Sequence, residues 1–204
     1  MSGYFFSFEG IDGSGKTTQA NLLMEHLSKS GYETLLTREP GGTPVGEKIR
    51  KILLENNCHA MNITTELLLL VASRVQHIQD VIQPALEADQ IVLIDRFSDA
   101  TRAYQGYGGG CSLESIEQIL KLSGCCLEPN LTFILDIPVE KSFQRLFESK
   151  DRFENKKSSY FEKVREGYLD LAKKYPNRVK VINAEDSLQD VFEKVKGYVD
   201  EFIA

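Results

Sequence analysis

The octapeptide Gly10-Ile11-Asp12-Gly13-Ser14-Gly15-Lys16-Thr17 constrains this chain more than any other feature. It fits the pattern GxxxxGK[ST], follows directly on the apolar run Tyr4-Phe-Phe-Ser-Phe8, and opens a helical pattern reaching about Ser30. A glycine-rich turn between a buried strand and a helix lets backbone N–H groups converge on phosphate oxygens, and the helix N-terminus adds partial positive charge. The loop, with Thr18 beside it, therefore predicts a phosphate cradle. The Lys16 ammonium is expected to bridge the β- and γ-phosphates of a nucleoside triphosphate, and the Thr17 hydroxyl to face Mg²⁺.

Four further apolar runs follow: Thr34-Leu-Leu-Thr37, Ile91-Val-Leu-Ile-Asp95, Leu131-Thr-Phe-Ile-Leu-Asp136 and Val179-Lys-Val-Ile182. Most are continuous rather than alternating, as strands buried on both faces should be. Between them lie segments of helical period, such as Ala20, Leu23, Met24 and Leu27, then Ile116, Ile119 and Leu120, and last Leu188, Val191, Val195 and Val199. Strands alternating with helices predict an α/β fold, a three-layer sandwich with a five-stranded parallel sheet covered on both faces. Two of the runs end in an acid, Asp95 and Asp136, and either could serve the magnesium side from pattern alone. Arg96 tips the choice to Asp95, because a fork-shaped donor beside the acid suits a second phosphate.

Composition sets the outer bounds. With 204 residues, 42% hydrophobic and 26% charged, and neither an internal repeat nor a linker, residues 1–204 read as one globular domain. Its 24 Lys+Arg against 30 Asp+Glu leave a net charge of −6, which argues against a general nucleic-acid binder. The longest apolar stretch, Leu67 to Ala72, is far too short for a membrane span. The first residues lack a basic n-region and a small-residue cleavage site, so a cytoplasmic protein is expected. Cys58, Cys111, Cys125 and Cys126 show no CxxC pairing and read as reduced thiols, and His26, His59 and His77 have no metal-site spacing. Two stretches look mobile, the glycine-rich Gly106–Gly110 and the charged Glu148–Lys157.

The phosphoryl acceptor is the next question. A guanine-nucleotide switch needs Asn-Lys-x-Asp, and Asn155-Lys156 continues Lys-Ser instead. Arg38, Arg50, Arg74 and Arg96 cluster downstream of the strands that should surround the loop, which suggests a second anionic pocket. If the acceptor is itself a phosphate monoester, with a second pKa near 6, it is largely dianionic at neutral pH and needs no general base.

These residues carry a resemblance that spans essentially the whole chain. Phe8-Glu-Gly-Ile-Asp-Gly-Ser-Gly-Lys-Thr-Thr-Gln19, Thr37-Arg-Glu-Pro-Gly-Gly-Thr43, Gly46-Glu-Lys-Ile-Arg50, Ala72-Ser-Arg74, Asp95-Arg-Phe97 with Ala103-Tyr-Gln-Gly106, and Asp151-Arg-Phe-Glu154 resemble thymidylate kinases. That family phosphorylates dTMP to dTDP with ATP, and the resemblance implies ATP and Mg²⁺ as cofactors, a homodimer, and a short lid over about residues 148–158. It also implies roles. Asp12 would meet the 3′-hydroxyl of dTMP, while Arg38, Glu39 and Arg96 would handle its 5′-phosphate and nearby magnesium waters. Arg74 would bond the thymine carbonyl edge, Arg50, Thr101 and Gln105 would line the base pocket, and Tyr104 would crowd the ribose 2′ position. Gly13 stands where some members carry an arginine, which resembles the bacterial type whose catalytic cations come from the lid. Arg145, Lys150 and Arg152 fit that part, beside Lys16 and Arg96.

The chain departs from the family pattern at two places. Leu70 stands where an aromatic ring commonly stacks on thymine, and Gly109 where the glycine-rich loop commonly carries an arginine. The nearest rival is a deoxynucleoside kinase acting on thymidine, which shares the loop and an acid-Pro pair like Glu39-Pro40. Its neutral acceptor would offer no phosphate to Arg38, Arg50 and Arg96. A non-catalytic ATP-binding module is the rival from another class.

Overall fold

The five apolar runs fold into five parallel strands: β1 (Phe5–Glu9), β2 (Thr34–Arg38), β3 (Ile91–Asp95), β4 (Leu131–Asp136) and β5 (Val179–Asn183). Their order across the sheet is β2-β3-β1-β4-β5. The computed structural model describes residues 3–55, 61–145 and 157–204. Central β1 is buried at all five positions, which is why its sequence shows no polar alternation. Parallel neighbours cannot be joined by a hairpin, so helices make the crossovers. These are α1 (Lys16–Lys29), α2 (Pro44–Leu54), α3 (Ile63–His77), α4 (Gln83–Glu87), α5 (Ser98–Thr101), α6 (Leu113–Leu122), α7 (Val139–Arg145) and α8 (Ser158–Lys174), and α9 (Leu188–Ile203) follows β5.

The period-two geometry of β1 splits its side chains between the two helical layers. Phe6 and Phe8 join a core with Leu23 and Leu27 of α1 and Val191, Val195 and Val199 of α9, the helical stripes legible in the sequence. Each such side chain contributes roughly 1.5–3 kcal/mol by leaving water. Phe5 faces the other way and packs with Val92, Ile94, Phe97, Ile82 and Leu86. Ser7 and Glu9 share that second face, so a fully buried hydroxyl and carboxyl sit where an apolar pair would be expected. The carboxyl ends of β1, β2 and β3 carry the glycine-rich loop, Arg38 and the Asp95-Arg96 pair to one edge of the sheet.

α3 runs into a π-helical turn at Ile78–Ile82 that leads on into α4. Pro84 lacks an N–H and crowds the preceding turn, and the wider turn upstream accommodates it. Within 106–110, expected to be mobile, Gly106 and Gly108 instead belong to a π-helical segment, Arg102–Gly108, while Gly110 turns the chain at φ +78° with open space around it. A Cβ on Gly108 would lie 2.7 Å from Tyr160 and Val164, and one on Gly106 2.7 Å from Leu113. Here glycine serves close approach rather than freedom. Ser158, the expected last residue of the lid, is already the first residue of α8.

Candidate functional site

The glycine-rich loop closes over the start of α1. Gly15 has φ +95°, a conformation that favours glycine, and from it the chain enters the helix at Lys16. Gly10, below the loop, is hemmed in by the Leu135 carbonyl, 2.7 Å from where its Cβ would be, and does not line the cavity. Lys16 is buried and its Nζ donates to the Ile11 carbonyl at 2.9 Å. That leaves two further ammonium N–H bonds for other oxygens. Burial and the Arg96 charge hold the Lys16 ammonium below its usual pKa, against the pull of Asp12 and Asp95. The Thr17 hydroxyl donates to Asp95 Oδ2 at 2.5 Å. A hydroxyl and a carboxylate oxygen are hard donors suited to Mg²⁺, which binds through one or two protein oxygens, phosphate and water. Asp136, the competing acid, is held instead by a two-pronged bond from Arg165 at 2.6 and 2.9 Å.

Beyond the loop the cleft opens into a second lobe, and Asp12, Glu39, Arg50 and Arg96 line both spaces. Arg96 follows β3 in the left-handed region, φ +72°, at a cost of about 1 kcal/mol for a residue with a Cβ. Its Nη2 donates to Asp12 Oδ1 at 2.5 Å, and its guanidinium lies 4.7 Å from the centre of the Tyr104 ring. Burial works to raise the Asp12 carboxyl, but the Arg96 and Lys16 charges outweigh it and hold the pKa below the ordinary value. The Tyr104 hydroxyl donates to Asp12 Oδ2 at 3.4 Å, and burial pushes that phenol well up.

The far wall of the lobe is more tightly fixed. Glu39 is 5% exposed and Arg74 2%, and Arg74 Nε donates to Glu39 Oε2 at 2.7 Å. Arg74 Nη2 donates to the Phe97 carbonyl at 3.0 Å, while Nη1 is buried without a hydrogen-bond partner among the described residues. His77, one helical turn on, lies between Glu39 Oε1 at 3.2 Å and the Thr37 hydroxyl at 2.8 Å. Gln105 is tied to Glu66 at 2.8 Å, and Thr101, Leu70 and Phe97 complete the wall.

The structure thus gathers Asp12 through Thr18, Arg38, Glu39, Arg50, Leu70, Arg74, Asp95, Arg96, Thr101, Tyr104, Gln105 and Arg145 around one two-lobed cleft. Arg38 stands at the rim, half exposed and paired with Glu47 at 3.1 Å. Arg145 donates to the Ala184 carbonyl at 3.0 Å, on the side of the cleft lined by Asp186 and Leu188. Lys150, Arg152, Cys58, His59 and residues 148–156 of the expected lid lie outside the described residues. At Gly109, a Cβ would sit 2.6 Å from Ile63 and 2.8 Å from the Gln105 carbonyl, so this chain has no room there for the family's arginine. Sequence reasoning missed three buried polar groups: Glu9, Tyr168, whose hydroxyl reaches Glu9 at 2.8 Å, and His77. The signals were a carboxylate ending an apolar strand, and a histidine three residues after Arg74 on the same helix face.

Known proteins resemble this arrangement along nearly its whole length. The family model described as thymidylate kinase matches residues 8–195. A thymidylate kinase of Symbiobacterium thermophilum is 42% identical over 200 residues, covering 98% of this chain and 94% of that protein. One from a Sulfurihydrogenibium species is 46% identical over 198 residues, covering 97% and 96%. Among solved structures, thymidylate kinase from Ehrlichia chaffeensis superposes with a TM-score of 0.80 at 37% identity, covering 98% of this chain and 99% of that one.

Proposed function

This chain belongs to the thymidylate kinase family, and on that premise we propose that it transfers the γ-phosphoryl group of ATP to the 5′-phosphate of dTMP, giving dTDP and ADP. The observation that supports this most is the second lobe. It opens off the phosphate cleft at Asp12 and Arg96, and its wall holds the unpartnered Arg74 Nη1 donor. A buried N–H without an acceptor is costly, and a base carbonyl entering the lobe would supply one.

In this reading the loop amides and Lys16 hold the β- and γ-phosphates, and Arg38 and Arg96 hold the acceptor phosphate in line with them. An oxygen of the dianionic dTMP phosphate attacks the γ-phosphorus. The bond from that phosphorus to the β–γ bridging oxygen breaks, and ADP leaves with the electron pair. No proton has to be removed from the acceptor, so positioning and cationic charge carry the step. Thr17 and Asp95 would hold Mg²⁺, which when bound neutralises charge on the phosphates. Asp12 would meet the 3′-hydroxyl, Tyr104 would exclude a 2′-hydroxyl, and Arg50, Glu39, Thr101, Gln105 and Leu70 would shape the base pocket. Arg145, Lys150 and Arg152 are the cations proposed to close over the γ-phosphate.

We further infer one catalytic domain, a homodimer and a cytoplasmic setting. Val45 and Ile52 on α2 and Leu68 on α3 leave apolar side chains in solvent, which supports a covered face. Among the described residues no helix is long and apolar enough to cross a membrane. The test is a coupled ADP-release assay with MgATP, offering dTMP, dUMP, dCMP, dGMP, dAMP and thymidine side by side. Turnover with dTMP and little with thymidine is expected. Turnover with thymidine alone would restore the nucleoside kinase, and silence throughout would restore the binding module.

A further inference from the structure

Glu9 is fully buried at the end of β1, and the mechanism above makes no use of it. Its carboxylate is nonetheless the meeting point of three donors from three parts of the chain. Oε1 accepts from the Phe97 backbone N–H at 2.7 Å and from the Ser7 hydroxyl at 3.2 Å, and Oε2 accepts from the Tyr168 hydroxyl at 2.8 Å. A buried carboxylate is expensive, and a simple packing role at this position would be filled better by an apolar side chain.

The geometry around Arg96 gives it a purpose. The left-handed Arg96 backbone is bracketed by β1 on both sides: its own N–H donates to the Phe8 carbonyl at 3.0 Å, and the next N–H, that of Phe97, donates to Glu9. A strained turn persists only where its neighbours hold it. From that turn the Arg96 guanidinium reaches Asp12, with Nη1 3.5 Å from the same Tyr168 hydroxyl that Glu9 holds. We propose that Glu9 is a positioning residue for the acceptor phosphate, fixing Arg96 through the Phe97 N–H on its main-chain side and through Tyr168 on its side-chain side. This rests on the reading of Arg96 as the cation that meets the dTMP phosphate.

The charges facing Glu9 are Asp99 from α5, Arg96 from the β3 turn, Lys16 from the loop, and the Tyr168 phenol from α8. Burial and Asp99 push the Glu9 carboxyl up to about 7, against Arg96, the Phe97 N–H and Tyr168. The ionised form accepts from all three donors. The protonated form turns one oxygen into a donor, so that oxygen's bond weakens or reverses, as where the Tyr168 hydroxyl turns to accept.

The experiment is steady-state kinetics with dTMP and ATP varied independently, on Glu9→Met, Glu9→Gln, Tyr168→Phe and the reference Arg96→Lys, each with a thermal unfolding curve. Arg96→Lys should lower kcat/KM for dTMP at least about tenfold, and Glu9→Met should raise the KM for dTMP about five- to tenfold with that for ATP within about twofold. Glu9→Gln keeps an acceptor for the Phe97 N–H and should recover most of the loss. Tyr168→Phe, which removes only the side-chain branch, should cost about two- to threefold in KM for dTMP. Across neutral pH, the wild-type kcat/KM for dTMP should show an inflection that the Glu9→Gln profile lacks. Folded Glu9 and Tyr168 variants whose two KM values move together, or not at all, would overturn the proposal. If Glu9→Met does not fold, Glu9→Gln and Tyr168→Phe decide in the same way. Should Arg96→Lys itself leave dTMP kinetics unchanged, the reading of Arg96 fails, and the proposal with it.

Discussion

The two lobes of the cleft are built by opposite means. The lobe proposed for the acceptor is walled by side chains that are almost wholly buried and already committed to one another: Arg74 to Glu39, Glu39 to His77, Gln105 to Glu66. The lobe proposed for ATP is floored by backbone, with Lys16 its one deeply buried cation among the lining residues described and Arg38 on its rim. Triphosphate needs only charge and converging N–H groups, which a glycine loop supplies regardless of side-chain identity. Telling one base and sugar from another needs donors held in place before binding, since discrimination comes from groups left unpaired by the wrong ligand. Fold stability and selectivity therefore share residues in one lobe and are separate in the other.

The sharpest way to break this contrast is to remove one cation from each lobe. Arg74→Met would leave Glu39 buried with its strongest partner gone, and we expect a loss of about 3–5 kcal/mol in denaturant unfolding together with loss of dTMP binding by calorimetry. Lys16→Met should instead lower kcat by about 10²–10³ with stability unchanged or slightly raised, because it removes a buried ammonium. Equal effects on stability from the two substitutions would mean that both lobes are built alike.

The same contrast explains what could be read in the sequence. The loop was legible because its chemistry is local: the consecutive residues Gly10–Thr17 and one helix start make the site. The strands were legible because burial on both faces leaves unbroken apolar runs, and Arg38, Asp95 and Arg96 because they sit where those runs end. The residues alone marked Arg50 and Arg74 as parts of a second anionic pocket, but the acceptor wall's roles were legible only through family resemblance, since no spacing links Arg74 to Glu39. Glu9 and Tyr168 lie 159 positions apart, and only the packing of α8 against the sheet brings them together. Gly106–Gly110 misled for a related reason. Composition reads glycine as freedom, and only the neighbouring side chains of α8, α6 and Ile63 show that it is close packing at Gly106, Gly108 and Gly109.

Stability should also depend on pH through the group beneath both lobes. The Glu9 carboxyl stands at about 7 in the folded chain against 4.5 for its ordinary value, so the folded state holds a proton that the unfolded chain has already released. Its contribution is complete below the unfolded value and is lost as pH rises through the folded one, about 3 kcal/mol in all. Unfolding curves between those limits should show stability falling with pH in the wild type. Glu9→Gln should flatten that part of the slope, and an unchanged slope would assign it to other groups.

Smaller effects are expected at the edges of each lobe. Leu70 lines the acceptor lobe beside Phe97 without offering a ring of its own. Leu70→Phe should tighten dTMP binding by about 1 kcal/mol, and a titration showing no gain would mean that the lobe has no space for a stacked ring there. At the rim, Arg38 and Glu47 are 54% and 41% exposed, so their pair competes with water and salt. Glu47→Gln should change stability by less than about 1 kcal/mol, shrinking as salt is added. The freed Arg38 should leave the KM for dTMP within about twofold, since a solvated guanidinium reorients at little cost. A larger, salt-insensitive effect would show that the rim is as firmly built as the acceptor wall, and the distinction between the lobes would then lie only in what they bind.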